Sequence, residues 1–246
     1  MRVLAGDIGG TSTRLCTADC TDGVVDPRRT QWFANAGYAG VAAILREFLQ
    51  QETAASLDAV CLAIAGPVRS TSAGQAAKVT NLPWEIDSEV LAQTFGFERI
   101  RLINDFEAIG YGIPMLGASD FVTLQKGNPA PHGPRALIGA GTGLGQAILV
   151  WQGNHYAVIP TEGGHADFGP VDELQLDLAR YLLREYGHAS YEMILSGPGL
   201  VRLYAFLRAQ GATAESATVA QSMQAGDPAA AITQAVLHQG DPLAQQ

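Results

Sequence analysis

Asp7 lies in the stretch VLAGDIGGTSTRL, residues 3–15, between an apolar run and a turn made of Gly9, Gly10 and Thr11. A Gly/Thr turn between two strands can aim successive backbone N–H groups and a hydroxyl at phosphate oxygens without any lysine. A carboxylate beside such a site repels phosphate unless a cation lies between them. Mg2+ takes oxygen ligands, often through its waters, from one carboxylate and the nucleotide phosphates. On this reading Asp7 holds the metal and the turn holds the phosphates. The alternative is an aspartate that caps its own turn by accepting from the following amides.

A second turn of the same kind occurs in IGAGTGLGQA, residues 138–147, where Gly139, Gly141, Gly143 and Gly145 alternate. No frame fits Gly-x-Gly-x-x-Gly opening a helix, so a dinucleotide fingerprint is excluded on spacing. One such turn alone reads as a tight hairpin that needs glycine; two matched turns favour phosphate. Asn104 and Asp105 follow an apolar run, the place where α/β enzymes put ligand-binding groups. Asp105 could accept the proton of an alcohol during phosphoryl transfer, or the pair could simply cap the helix DFEAIGYGI. PTEGGHADFG, residues 160–169, sets Glu162 and His165 around two glycines, the mixture of acceptors and switchable donor that suits a polyhydroxylated ligand. A zinc half-site fits these residues poorly, because the glycines break a helix. Glu192, in SYEMILSGPG, is expected to begin a helix ahead of a Gly-Pro-Gly stop, where an acid complements the helix dipole.

These groups need a scaffold, and the chain can supply one. Its 246 residues are 47% hydrophobic, enough for one large domain or two modest ones. Fifteen basic against 24 acidic residues give a formal charge of -9, which argues against a nucleic-acid or anionic-membrane partner. The lysines, Lys78 and Lys126, lie outside any Gly-Lys-Ser/Thr context, which excludes a Walker-type loop. Cys16, Cys20 and Cys61 have no histidine spaced to complete a zinc set and read as reduced core residues. The amino terminus turns polar too soon for a signal-peptide core, and no apolar run approaches the ~18 residues of a membrane span. A cytoplasmic location is expected.

The order of elements is α/β. Residues 2–8 and 14–19 read as a hairpin around the first turn, residues 40–52 as an amphipathic helix, and LDAVCLAIAGPV as a buried strand. DSEVLAQTFGF supplies Asp87 or Ser88 as an N-cap for a second helix, and RIRLIND returns as a strand. The Gly/Pro-rich stretch 125–135 reads as a connection between two lobes, 1–124 and 125–246. Residues 136–151 then repeat the opening strand–turn–strand pattern, and from Val171 onward the chain reads as helical, with Gly187 as a C-terminal stop.

Taken in order, GDIGGTSTRL, LINDFEAIGYGIPML, IGAGTGLGQA, PTEGGHADF and ILSGPGLVRLY resemble the bacterial glucokinase family of the actin/hexokinase/heat-shock-chaperone ATPase superfold. The likeness runs from Arg2 to about Tyr204. It implies a two-lobed, ribonuclease H-like α/β fold. Gly6, Asp7, Ile8, Gly9, Gly10 and Thr11 would form one ATP motif and Gly141, Thr142 and Gly143 the other, the two closing on ATP from opposite lobes. It implies ATP and Mg2+ as cofactors, Asp105 as the base for the sugar hydroxymethyl group, and Asn104, Glu162, His165 and Glu192 on ring hydroxyls. Asn81, in VTNLPWEID, matches a segment near the sugar. Glucose and ATP are the implied partners, in glycolysis, with a homodimer as a possible assembly. The cysteine-rich zinc motif of the related repressor-and-kinase sugar kinases is missing, which favours the glucokinase branch. Family members continue past the position of Gln246, so a C-terminal truncation and an incomplete second lobe, with an unpaired sheet edge and exposed apolar surface, are expected.

Three functions compete on these residues: an ATP-dependent glucose kinase, a catalytically silent sugar-binding fragment or module, and a chaperone-like ATPase that needs no sugar.

Overall fold

The computed structural model describes residues 1–50, 57–211 and 213–246. The chain divides into two compact units, Met1–Asn128 and Pro129–Gln246.

In the first unit the elements run β1 (Arg2–Ile8), β2 (Ser12–Thr21), β3 (Val24–Ala34), α1 (Val41–Gln50), β4 (Ala59–Ile64), β5 (Val68–Ser70), β6 (Gln75–Lys78), β7 (Glu85–Asp87), α2 (Ser88–Phe95), β8 (Ile100–Asn104) and α3 (Asp105–Gly112). The main sheet has the order β3-β2-β1-β4-β8, and a small sheet the order β5-β6-β7. β1, β4 and β8 are parallel, in register Asp7↔Ala63↔Ile103 and Ile8↔Ile64↔Asn104. That register carries Asp7 and Asn104 to the carboxyl ends of the parallel strands.

The strands stay together because one face of the sheet is a continuous apolar layer. Leu4, Ile8, Leu15, Leu62, Ile64 and Leu102 are fully buried there, and α1 covers them with Ile44, Leu45 and Phe48. Truncating a residue such as Phe48 would cost roughly 3–5 kcal/mol. Gly6 and Ile8, both expected in the ATP motif, point into this layer. A Cβ on Gly6 would stand 2.6 Å from Leu62 and 3.0 Å from Leu15, so this glycine lets two flanking leucines close over it.

Three features differ from the sequence expectation. The opening hairpin is longer, with β2 starting at Ser12, and a third strand, β3, follows it. β3 carries Pro27, Arg28 and Arg29, and no element was expected there. It is an edge strand with a register shift opposite Thr17/Ala18, where a proline costs no ladder bond. The cysteines are free, as expected, but half-buried rather than core residues. Cys16 and Cys61 both pair with Ala5 and therefore lie on the sheet face opposite the α1 layer. The expected first helix is present to Gln50; residues 51–52 of that segment lie outside the described residues.

The second unit opens with β9 (Arg135–Ala140), β10 (Leu144–Trp151) and β11 (Tyr156–Thr161), an antiparallel sheet of order β11-β10-β9. Helices α4 (Glu173–Tyr186), α5 (Gly197–Gln210), α6 (Ala217–Ala225) and α7 (Pro228–Gln234) follow. Gly187 ends α4 in the left-handed conformation at φ 73°, as its sequence position suggested. Ala147, Leu149 and Val158 are buried on one face of the sheet, while Ile138, Ile148 and Ile159 stand exposed on the other.

The Gly-Pro-Gly segment corrects another expectation. It does not stop a helix begun at Glu192; it forms the first turn of α5. Pro198 suits that place because its missing N–H would be unpaired in any first turn. Ser196 is the N-cap, its hydroxyl accepting from the Gly199 N–H at 3.0 Å.

Candidate active site

In the first unit the Gly/Thr turn is closed by a bond from the Gly9 N–H to the Ser12 carbonyl at 3.0 Å. Among the described residues, no protein acceptor takes the N–H groups of Gly10 and Thr11. Gly10 is tight against its neighbours: a Cβ there would be 3.0 Å from the Thr80 carbonyl and 3.8 Å from Asn81. Asn81, at a left-handed φ of 62°, therefore lies beside the first turn.

Sequence reading missed the residue that shapes this turn. Asn35 is buried; its amide donates to the Gly9 carbonyl at 2.8 Å and accepts from the Thr13 hydroxyl at 2.8 Å. Its backbone N–H donates to the Thr11 carbonyl at 2.9 Å. A lone asparagine in WFANAG carries no signal in the sequence, because its partners are 22 and 26 residues away. Asn35→Ala strands the buried Thr13 hydroxyl and frees the turn. Urea unfolding should show a loss of roughly 1–3 kcal/mol, and nucleotide binding should weaken more than glucose binding.

Asp7 ends the exposed row of β1. Its side chain is 52% exposed, and its ion-pair partner is Arg14, directly opposite on β2, at 3.5 Å. Arg14 in turn lies over the Trp32 ring, 4.9 Å from its centroid. Among the described residues Asp7 pairs with Arg14 and accepts from no amide of its own turn, so the carboxylate remains open to a cation. Among the described residues, no group of three or more His, Cys, Asp or Glu side chains is placed to hold a metal ion. An accessible single carboxylate beside free N–H groups suits Mg2+, which keeps several waters and takes its other ligands from phosphates.

Of the two roles that the sequence left open for Asn104 and Asp105, the structure shows the helix cap, which Asn104 supplies. Asn104 is the N-cap of α3, its Oδ1 accepting from the Phe106 N–H at 2.9 Å, and its Nδ2 donates to the Gly66 carbonyl at 3.2 Å. Asp105 is the first residue of the helix, half-buried, with Oδ1 accepting from the Phe106 N–H at 2.9 Å. Burial pushes the Asp105 carboxyl above the ordinary aspartate range; the Phe106 N–H pulls the other way, and the negative charge of Asp7 adds to the rise. An elevated carboxyl beside a second carboxylate is a common property of proton-accepting groups in enzymes.

In the second unit, Glu162, His165 and Glu192 are gathered. Residues 164–168 run against 189–192: the Phe168 N–H donates to the Ala189 carbonyl, Tyr191 to Ala166, and Glu192 to Gly164. That pairing sets the His165 ring between two carboxylates, Nδ1 at 3.4 Å from Glu162 and Nε2 at 3.6 Å from Glu192. Gly163 and Gly164 are needed for close approach, since side chains there would strike Gln146 and Leu144 of β10. The second glycine turn lies next to this cluster. The Leu144 N–H donates to Glu192 Oε2 at 2.9 Å, and the Gly197 N–H to the Gly141 carbonyl at 2.8 Å. Thr142 is exposed, and a Cβ on Gly141 would meet nothing within 4 Å.

Such turns and sheets define a class. A glucokinase from an Antarctic psychrotroph superposes with a TM-score of 0.78 at 29% identity, over 99% of this chain and 73% of that one. A glucokinase from Balamuthia mandrillaris in complex with glucose superposes with a TM-score of 0.69 at 25% identity, over 99% of this chain and 71% of that one. The fold is therefore the actin/hexokinase-like fold of sugar kinases.

The family follows from sequence. The glucokinase family model matches residues 4–246. The glucokinase of Nostoc punctiforme is 42% identical over 99% of this chain and 74% of its own length; that of Synechocystis is 36% identical over 99% and 74%. The chain belongs to the glucokinase family, and it spans about three quarters of the length of these relatives.

Proposed function

We propose that the chain transfers the γ-phosphoryl group of ATP to the 6-hydroxyl of glucose, with Asp105 as the base. The observation that carries the assignment is the Asp105 carboxylate, half-buried at the end of a parallel strand in the same unit as the Asp7 turn. Asp105 orients the sugar hydroxyl and accepts its proton; that oxygen forms the new bond to phosphorus while the bond to the β–γ bridging oxygen breaks and ADP departs. Asn104 fixes Asp105 at the helix start and keeps one Nδ2 proton for a ring hydroxyl. Glu162, His165 and Glu192 bind further hydroxyls, with Asn81 contributing beside the first turn.

ATP phosphates are held by N–H groups of Gly9 to Thr11 and of Gly141 to Gly143, with the Thr11 and Thr142 hydroxyls. Gly6 and Ile8 contribute by packing, which fixes the strand that ends at Asp7. Asp7 would hold Mg2+ through the ion's bound waters. Bound there, Mg2+ would supply positive charge against the phosphates. The residues before and after the 125–135 connection thus act as an N-terminal lobe with metal and base and a C-terminal lobe with hydroxyl contacts.

The setting expected for this activity is the cytoplasm and glycolysis, with glucose and ATP as partners and a homodimer as the assembly; neither nucleic acid nor membrane takes part. The acidic balance of the chain argues against a nucleic-acid or anionic-membrane surface. Incubation with Mg-ATP and glucose, followed by phosphorus NMR, should show ADP and one sugar ester on the C6 oxygen. An ester elsewhere, or inorganic phosphate alone, would remove Asp105 from its role.

A further inference from the structure

Glu192 touches two groups that the kinase reading assigns to different ligands. Oε1 faces His165 Nε2 at 3.6 Å in the hydroxyl-binding cluster, while Oε2 accepts from the Leu144 N–H at 2.9 Å where the second phosphate turn enters β10. The carboxylate fills the space that a side chain on Gly143 would need: a Cβ there would stand 2.6 Å from Oε2 and 3.3 Å from Cδ. Gly143 is not among the glycines of positive φ, so backbone freedom does not account for it. Gly141, with open space around it, leaves room for a ligand; Gly143 leaves room for Glu192.

The backbone around Glu192 is tied to the same turn. Its N–H donates to the Gly164 carbonyl at 2.8 Å, its carbonyl accepts from the Ser196 hydroxyl at 2.7 Å, and the next residue, Gly197, donates to the Gly141 carbonyl at 2.8 Å. Hydrogen bonds thus reach the turn at both Gly141 and Leu144 from one short segment, residues 192–197. A bond from a neutral N–H to a carboxylate is among the stronger ones in proteins, and it is sensitive to where the carboxylate is held.

Resting on the glucose-kinase reading, the geometry points to Glu192 as the positioning residue that couples sugar binding to the phosphate turn. A hydroxyl bound at Oε1 orders the carboxylate; the ordered Oε2 fixes the Leu144 N–H and with it the turn that receives phosphate. The ordering is done once for both ligands, so each binds more tightly in the presence of the other.

The test is the affinity for Mg-AMP-PNP by calorimetry, with and without saturating glucose, in wild type, Glu192→Gln, Glu192→Ala and Gly143→Ala. Amide exchange at Leu144, read by NMR in the free proteins, accompanies it. Glucose should tighten AMP-PNP about fivefold or more in wild type. Glu192→Gln, which keeps an acceptor but no charge, should retain part of that effect. Glu192→Ala and Gly143→Ala should bring the factor towards one, and the Leu144 amide should exchange faster in both. Equal coupling in all four proteins, a wild-type factor of one, or unchanged Leu144 exchange in Glu192→Ala would overturn the coupling and leave the kinase reading intact. A wild type that binds no glucose would instead remove the kinase reading itself. Glu192→Gln keeps the assay decisive if the bulkier change at Gly143 prevents folding.

Discussion

Replacing Asp105 with asparagine is expected to cut turnover roughly 10²–10⁴-fold, the usual worth of a positioned proton acceptor, while the protein melts no lower than before. The two effects come from one property. Burial holds the Asp105 carboxyl above its ordinary value of 3.8, and the charge of Asp7 adds to that rise. A carboxyl that keeps its proton to higher pH when folded stabilises the fold fully below the unfolded pKa and loses that contribution as pH rises through the folded one. At neutral pH the wild type therefore carries an ionised carboxylate in a half-dry place, and asparagine does not. Thermal melts at neutral pH should place Asp105→Asn level with or above wild type, and the advantage should vanish in acid. Turnover of the wild type should fall on the acid side through a pKa above the aspartate range. Near-normal turnover in Asp105→Asn would sink the assignment of the base.

Asp7→Asn should have the second-largest effect, and its signature differs. Loss of the carboxylate should lower kcat/KM for Mg-ATP by roughly 10²–10³-fold, the scale of removing one electrostatic contact to developing charge. Glucose binding should be preserved, and a titration of Mg2+ against AMP-PNP binding should show the weakened step directly. A subtler consequence separates this variant from a simple loss of affinity. Asp7 raises the Asp105 carboxyl through its charge, so a neutral side chain at position 7 should move the acid limb of the residual activity to lower pH. An acid limb that stays in place would mean that the two carboxylates do not sense one another. The fold should survive, because Asp7 is exposed and its contact with Arg14 is a surface ion pair.

Much of the scaffold was legible because its elements are written in local pattern. The run from Ala59 to Ile64 is apolar throughout and becomes a strand buried between two parallel neighbours. Asp87 opens α2 by accepting from the amides of Glu89 and Val90, and Gly187 closes α4 in the left-handed conformation, as their positions in the sequence suggested. β3 escaped because its residues satisfy an edge, where proline and charge are tolerated and the strand signal fades. Gly-Pro-Gly misled because the same three residues can end one helix or open the next, and the Ser196 cap decided it.

The candidate site divides along the same line. Asp7, Gly10 and Asp105 could be singled out because charge beside glycine, or at the end of an apolar run, is unusual by itself. Asn35 could not, since its whole role lies in contacts with Gly9, Thr11 and Thr13 far off in sequence. Gly143 was read as part of a phosphate nest, and the sequence did not reveal that its missing side chain also makes space for Glu192. Short-range pattern names the groups that do chemistry; the residues that hold them are set by packing at long range.

The central claim is that the chain uses ATP to phosphorylate glucose, and the most direct measurement is ADP release by the 246-residue protein with Mg-ATP, with and without glucose. ADP should appear only with glucose and in step with glucose 6-phosphate. ADP release that is the same without sugar, or none with it, would contradict the account.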